Sequence, residues 1–278
     1  MNPGNNKSIP TTEKDQVRVG QIHYLNLVPF FKELVKLTAE LPLQYTEGVP
    51  SHLNDLLRTG VLDVSPASSI CLLDDSLEAF APVGVRTNGP VQSVYLSIPE
   101  GGGVSSKDFY QALAGKKQLP LGPTIWTSSE SETSVQLCKL LAREVFGDRF
   151  QVNKSSLPKP SDWQLWIGDQ ALQKRHQFAD VIDLSEAWKS HTGKGFVFAK
   201  WVCRKAWKNA ALDAALIEAA SKADYQLDSN PEAYWDESLK SRGISKDVVF
   251  GYWQNIRYKI DAAAESELQC FLEAVSDS

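Results

Sequence analysis

The stretch Gly20-Gln21-Ile22-His23-Tyr24-Leu25-Asn26-Leu27-Val28-Pro29 reads as a strand end, a tight junction and a helix start. Before it, Val17-Arg18-Val19-Gly20 has the character of a buried first strand. After it, Val28 to Leu37 carries apolar residues at helical spacing. Asn26 therefore falls where the first N–H groups of a helix lack intrahelical partners and a ligand can use them. In an open α/β sheet, ligands bind at such junctions, outside the carboxyl ends of the strands. The competing role is a plain helix cap, which asparagine also fills well.

Outward from this junction, the first third of the chain alternates strands and helices. Leu43 to Thr46 reads as a short strand, Pro50 to Arg58 as a helix ending before Gly60, and Asp63-Val64 as a strand feeding Ser68-Ser69. Phe80 to Arg86 is a further strand, closed by the turn Thr87-Asn88-Gly89-Pro90. This rhythm predicts a mainly parallel sheet with right-handed crossovers. Near Glu100-Gly101-Gly102-Gly103 the pattern restarts: a helix over Ser106 to Leu113, a strand near Gln118 to Leu121, and a helix over Thr133 to Phe146. Strands at Leu165 to Gly168 and Val181 to Leu184 follow. Phe196 to Val202, aromatic and β-branched, reads as a return crossing. The remainder is predicted helical over Ala210 to Leu227, Pro231 to Leu239, Lys246 to Tyr258 and Glu265 to Val275. The expected plan is lobe one from 17–94 and 200–278, lobe two from 95–199, and a loose arm over 1–16. A ligand would then lie in the cleft between the lobes.

With 278 residues there is ample material for two such lobes, and 42% hydrophobic with 23% charged residues is ordinary for a water-soluble globular chain. A net charge of −5 argues against nucleic acid or an anionic membrane as partner. An anionic ligand would need a local site. The polar start and the four scattered cysteines, Cys71, Cys138, Cys203 and Cys270, predict a cytoplasmic protein with reduced thiols.

The four histidines share no metal-ligand spacing, and no dinucleotide, Walker or nucleophile-elbow motif is present, so neither metal nor cofactor is expected. What recurs is small hydroxyl residues at helix starts: Ser68 and Ser69 in one lobe, Ser131 to Ser134 in the other, with Ser93 past the Gly89-Pro90 turn. Singly, each reads as a cap or turn residue. Together on one cleft they would form a carboxylate-binding surface of hydroxyls, amides and helix dipoles. Arg86, at a strand end, could hold a carboxylate bidentately or lie idle on the surface. Trp126, Trp166 and Trp201 are candidates for the cleft wall or the core. Asp169 reads as a helix cap rather than an acid or base.

These motifs together resemble the chorismate dehydratases of the futalosine route to menaquinone. The resemblance rests on Tyr24-Leu25-Asn26 with Pro29, Gly60-x-x-Asp63 leading to Ser68, and Gly89-Pro90-Val91-x-Ser93-Val94. It continues through Thr133-Ser134-Val135, Ile167-Gly168-Asp169, Trp188 through Thr192-Gly193, Phe196-x-Phe198-Ala199-x-Trp201 and Ile256-Arg257-Tyr258. The ordered set spans nearly the whole chain. It implies an α/β, two-lobed, type II periplasmic-binding-protein-like fold with a helical C-terminal tail on lobe one. It also implies a cytoplasmic, cofactor-free lyase that dehydrates chorismate, a dianion, to 3-[(1-carboxyvinyl)oxy]benzoate. Within that resemblance Asn26 is the expected catalytic residue, hydrogen-bonding at the reacting end. Ser68, Ser69, Arg86, Gly89, Val91, Ser93, Thr133, Ser134 and Asp169 are the expected substrate-binding set. Removal of the C3 proton is expected to fall to the substrate's own enolpyruvyl carboxylate, because the motifs hold no evident base.

Two positions depart from the pattern: Cys71, where relatives often carry glutamate, and Glu132, where they often carry a basic or neutral residue. The rival readings are a non-catalytic solute-binding protein of the same fold and the sister 1,4-dihydroxy-6-naphthoate synthase. Tyr24-Leu25-Asn26 and Gly89-Pro90-Val91 favour the dehydratase.

Overall fold

A computed structural model describes residues 16–278 apart from 102, 120, 121, 129, 155 and 156. The expected arm, except for Gln16, lies outside the described residues, as does part of the strand expected near Gln118 to Leu121. In chain order the first elements are β1 (Val17–Ile22), a 3-10 turn (Leu25–Leu27), α1 (Val28–Leu37), β2 (Leu43–Gly48), α2 (Pro50–Arg58), β3 (Val64–Ser68) and β4 (Leu77–Thr87). A second series runs β5 (Val94–Ser97), α3 (Ser106–Leu113), β6 (Thr124–Thr127), α4 (Glu132–Phe146), β7 (Gln151–Asn153), β8 (Trp163–Ile167), α5 (Gly168–Lys174), β9 (Val181–Asp183) and α6 (Leu184–Thr192). The chain returns through β10 (Phe196–Arg204) and finishes with α7 (Ala210–Ser229), α8 (Glu237–Lys240), α9 (Lys246–Gln254), β11 (Arg257–Lys259) and α10 (Ala262–Ser276).

These strands form two sheets, one ordered β11-β4-β10-β3-β1-β2 and the other β7-β6-β8-β5-β9. Val94 already pairs with Ile167 in the second sheet, and Phe196 already pairs with Thr87 in the first. The expected parallel character holds only for β2-β1-β3 and β7-β6-β8. β10 arrives from the second lobe and inserts antiparallel between β3 and β4, and β5 is antiparallel to both its neighbours. A return crossing reverses direction, which is what the βαβ reading lacked. At that insertion a Cβ on Gly84 would lie 2.2 Å from the Ala199 carbonyl oxygen, so the close approach of β4 to β10 requires glycine.

The tail also departs from expectation. The helix predicted over Lys246 to Tyr258 stops at Gln254, and Arg257–Lys259 joins the edge of β4. The Asp224 carboxylate on α7 accepts from the Tyr258 and Lys259 amides, which covers that edge. Pro231 to Leu239 divides into a 3-10 turn over Pro231–Tyr234 and the short α8, capped by Asp236. The tail nevertheless packs on the first sheet, with α7 against α1 and β4 and α10 against β10. Trp201 is fully buried between Phe30 and Phe31 of α1, which fixes that helix on the sheet. Among the described residues no helix is long and apolar enough to cross a membrane.

Asp63 shows how the motif Gly60-x-x-Asp63 serves the fold. Its carboxylate accepts from the Arg18 amide at 2.9 Å and from its guanidinium at 2.6 and 3.1 Å, tying the start of β3 to β1. Burial pushes this carboxyl up, but the Arg18 bonds and charge, with Arg204 nearby, outweigh it and hold it below the usual range. Asp63→Asn is expected to cost about 1–2 kcal/mol at neutral pH. A folded-state pKa below the unfolded one means the contribution is present above the ordinary aspartate range and lost as pH falls through the folded value. The gap in melting temperature between wild type and variant should therefore close on acidification below about pH 4.

Candidate active site

Five loop-to-element junctions meet at one cavity of about 50 Å³. Asn26 enters it from the turn after β1, Ser68 from the end of β3, and Val91 and Ser93 from the segment before β5. Ser131 and Ser134 come from the start of α4, and Ile167 and Gly168 from the β8–α5 junction. Phe198 and Ala199 of β10 complete the wall. Strand ends of both sheets thus face each other across it, as the sequence reading expected of a cleft ligand.

Asn26 does not cap a helix. The residue preceding α1 is Leu27, with no side-chain cap bond. The Asn26 Oδ1 is instead buried with no hydrogen-bond partner, and so is the Ser68 Oγ. Leaving a buried polar atom unpaired costs about 1–3 kcal/mol, and in this cavity a water or a ligand can complete the bonding of both. Ser93 donates its hydroxyl to the Tyr252 hydroxyl at 2.9 Å. Ser131 caps α4, accepting from the Ser134 amide, and the two serine hydroxyls lie 3.0 Å apart. The positive end of a 15-residue helix therefore opens on the cavity.

The turn that carries Asn26 is held from three sides. The Asp169 Oδ1 accepts from the Leu25 amide at 2.9 Å, and the Trp253 indole N–H donates to the Leu25 carbonyl at 2.8 Å. The Tyr258 hydroxyl donates to the Asn26 carbonyl at 2.7 Å. Arg242 bridges the Asp169 Oδ2 at 2.6 Å and the His23 carbonyl at 2.7 Å. Tyr24 lies against Gly168: a Cβ there would fall 3.0 Å from its ring, and Gly168 sits at φ +65°, where side chains are strained. The Ile167-Gly168-Asp169 and Tyr24-Leu25-Asn26 motifs are thus two halves of one contact.

Of the other expected site residues, Val91 lines the cavity, its amide donating to Asp183 at 3.1 Å. Thr133 stands just outside, accepting from the Ile70 amide at 3.2 Å. Ser69 turns away and donates to the Val197 carbonyl at 2.7 Å. Arg86 pairs with Asp261 at 3.3 Å, away from the cavity wall, and Gly89 lies in the turn beyond it. Trp126 and Trp166 line a larger open cavity of about 1130 Å³ that shares Ser131 with the central one. Cys71 is fully buried, its thiol pushed up to about 12 by burial, and Glu132 faces Arg58 rather than the central cavity.

Among the described lining residues of the central cavity there is no arginine, lysine, histidine or carboxylate. Its one titratable side chain is Tyr24, whose hydroxyl donates to Glu130 at 2.7 Å. Burial, reinforced by that bond, holds the phenol far above its usual range. The site can position and hydrogen-bond, but it offers no side chain ready to take a proton near neutral pH. Sequence reasoning missed three supports: Arg242, Tyr252 and Trp253 reach the site only through tertiary packing. The Ile256-Arg257-Tyr258 motif signalled that this part of the tail matters, without saying to what.

Residues 17–277 match the menaquinone biosynthesis family. The chain belongs to that family. It is similar to the chorismate dehydratase of Thermus thermophilus, with 30% identity over 253 residues, 82% of this chain and 85% of that protein. By fold it is similar to protein AF1704 from Archaeoglobus fulgidus, with a TM-score of 0.68 at 14% identity, covering 96% of this chain and 98% of the other. It is also similar to the alkanesulfonate-binding protein SsuA from Xanthomonas axonopodis pv. citri, with a TM-score of 0.67 at 12% identity over 96% and 94% of the two chains. Those structures establish the two-lobed periplasmic-binding-protein-like fold for this member of the menaquinone biosynthesis family.

Proposed function

We propose that the protein is a chorismate dehydratase, removing one water from chorismate to give 3-[(1-carboxyvinyl)oxy]benzoate. The observation that carries this reading is the 30% identity to the Thermus thermophilus chorismate dehydratase over 82% of this chain, and the cavity without a base that holds Asn26 and Ser68 agrees with it. Chorismate suits such a site chemically, and the room it needs beyond about 50 Å³ adjoins in the larger cavity that shares Ser131. Loss of the C3 proton and the C4 hydroxyl makes the ring aromatic, so the driving force lies in the substrate. The enolpyruvyl carboxylate takes the C3 proton, the C3–H electron pair becomes the C3–C4 double bond as the C4–O bond breaks, and the carboxyl group passes its proton to the departing hydroxide, which leaves as water with the carboxylate restored. The enzyme's share is to hold the dianion in the reactive geometry and to stabilise the departing oxygen.

Asn26 meets that oxygen, its amide offering a donor and an acceptor and changing charge at neither. Ser68, Ser93, Ser131 and Ser134, with the first-turn amides of α4, hold the two carboxylates. Hydroxyls and a helix terminus replace the arginine expected at Arg86. The test is to mix the purified protein with chorismate and follow products by chromatography and mass. Turnover with loss of one water is the expected result. Binding without turnover would make this a carboxylate-binding protein, and no binding would remove chorismate as the substrate.

A further inference from the structure

Glu132 opens α4, whose face packs in the second lobe, yet its carboxylate reaches the first. It accepts two parallel bonds from Arg58, at 2.9 Å to Oε1 and 2.7 Å to Oε2. Asn54 adds a third from its Nδ2 at 3.2 Å. Asn54 lies one turn before Arg58 on α2, so both side chains leave the helix on the same face. Asn54 is fully buried, and its Oδ1 accepts from the Ser68 amide at 3.2 Å. One amide side chain thus joins the ion pair between the lobes to the residue whose hydroxyl stands unpartnered in the cavity. The Ile70 amide donates to Thr133 Oγ1 beside this contact, again from one lobe to the other.

Arg58 has two further acidic neighbours on its own lobe, Asp55 at 3.4 Å and Asp74 at 3.6 Å. They hold the guanidinium beside Glu132 from its own lobe, and a guanidinium oriented in advance loses less entropy in a bidentate pair. We infer that Arg58, Asn54 and Glu132 form a closure clamp that draws the lobes together and positions Ser68 for the substrate. These are positioning residues: none lines the central cavity, and Glu132 borders the larger one beside it. The inference deepens the proposed dehydratase reading and rests on it for the kinetic part alone.

A ligand's apparent affinity falls in proportion to the fraction of protein in the binding-competent state. Glu132→Gln keeps the side-chain shape and removes the charge. It is expected to raise KM for chorismate about tenfold while kcat changes less than about threefold. Arg58→Gln should raise KM by a similar factor and add little to Glu132→Gln, because the two side chains act as one pair. Asn54→Ala added to Glu132→Gln should raise KM by less than the product of the single effects, because the two act in one linkage. Small-angle scattering of the ligand-free proteins should give a larger radius of gyration for Glu132→Gln than for wild type. Unchanged scattering and KM in folded Glu132→Gln, or full additivity of Arg58→Gln with Glu132→Gln, would overturn the clamp. If wild type fails to turn over chorismate, the dehydratase reading falls and the scattering comparison still decides the clamp.

Discussion

Asn26→Ala is expected to lower kcat for chorismate dehydration by about 10²–10³-fold, with the protein folded and as stable as wild type. The argument has two sides. On the chemical side, Asn26 is the polar group that the first strand–turn–helix junction delivers to the cavity, and no lining residue stands in for its amide. On the structural side, the folded chain draws nothing from that side chain: its Oδ1 is buried without a partner, and the turn is held through backbone atoms by Asp169, Trp253 and Tyr258. Removing an unsatisfied buried acceptor relieves a cost of about 1–3 kcal/mol, which offsets the lost packing. The melting temperature should therefore hold or rise slightly as activity collapses, the pattern of a residue kept for function against stability. Asn26→Asp tests the chemistry further. It preserves shape but sets a carboxylate against a dianion, so KM should rise as well as kcat fall. An alanine variant that kept wild-type kcat would remove Asn26 from the reaction. Parallel loss of activity and melting temperature would make it a structural residue.

The junctions were the legible part of this chain. Val17–Gly20 followed by an amphipathic helix located Asn26, and the hydroxyl clusters located Ser68, Ser93 and Ser134, because local period and turn chemistry determine where strands end. The structure brings those four together in one cavity. Arg86 and Ser69 were read from the same local logic, yet which face of a strand end meets the cleft depends on twist and on β10, which arrives from a hundred residues later. β10 takes the Ser69 hydroxyl through Val197, and α10 takes Arg86 through Asp261. The supports were less legible still. Arg242 reaches His23 and Asp169 across 219 and 73 residues, and no spacing rule connects them. The tail strand β11 was hidden because Asn255-Ile256-Arg257-Tyr258 extends a helical pattern until Asp224 and β4 offer its amides better partners.

The second large effect is expected from Asp169→Ala, which should reduce kcat/KM about 10²-fold and destabilise the protein by about 2 kcal/mol. A sequence reading makes Asp169 an ordinary helix cap, but α5 begins after Ile167 with no side-chain cap bond. Its two oxygens are spent elsewhere, one on the Leu25 amide and the other on Arg242, which also holds the His23 carbonyl. Alanine leaves the buried Leu25 amide unpaired and strips Arg242 of its carboxylate, leaving it the His23 carbonyl, and the residues they flank are those that aim Asn26. A displacement of about 1 Å at a positioned group is enough to cost on the order of 10²-fold in rate. Asp169→Asn separates the two functions. It retains an acceptor for the Leu25 amide and loses the charge that holds Arg242, so it should keep more activity than alanine and stay closer to wild type in melting. Arg242→Ala should then add little to Asp169→Ala, because residues in one network do not act independently. If Asp169→Ala loses stability with kcat/KM unchanged, the anchor is structural only, and Tyr258 and Trp253 alone fix the turn. If it loses activity with the asparagine variant intermediate, the contact between the Gly168-Asp169 and Tyr24-Asn26 segments is what makes the two lobes a single catalytic site.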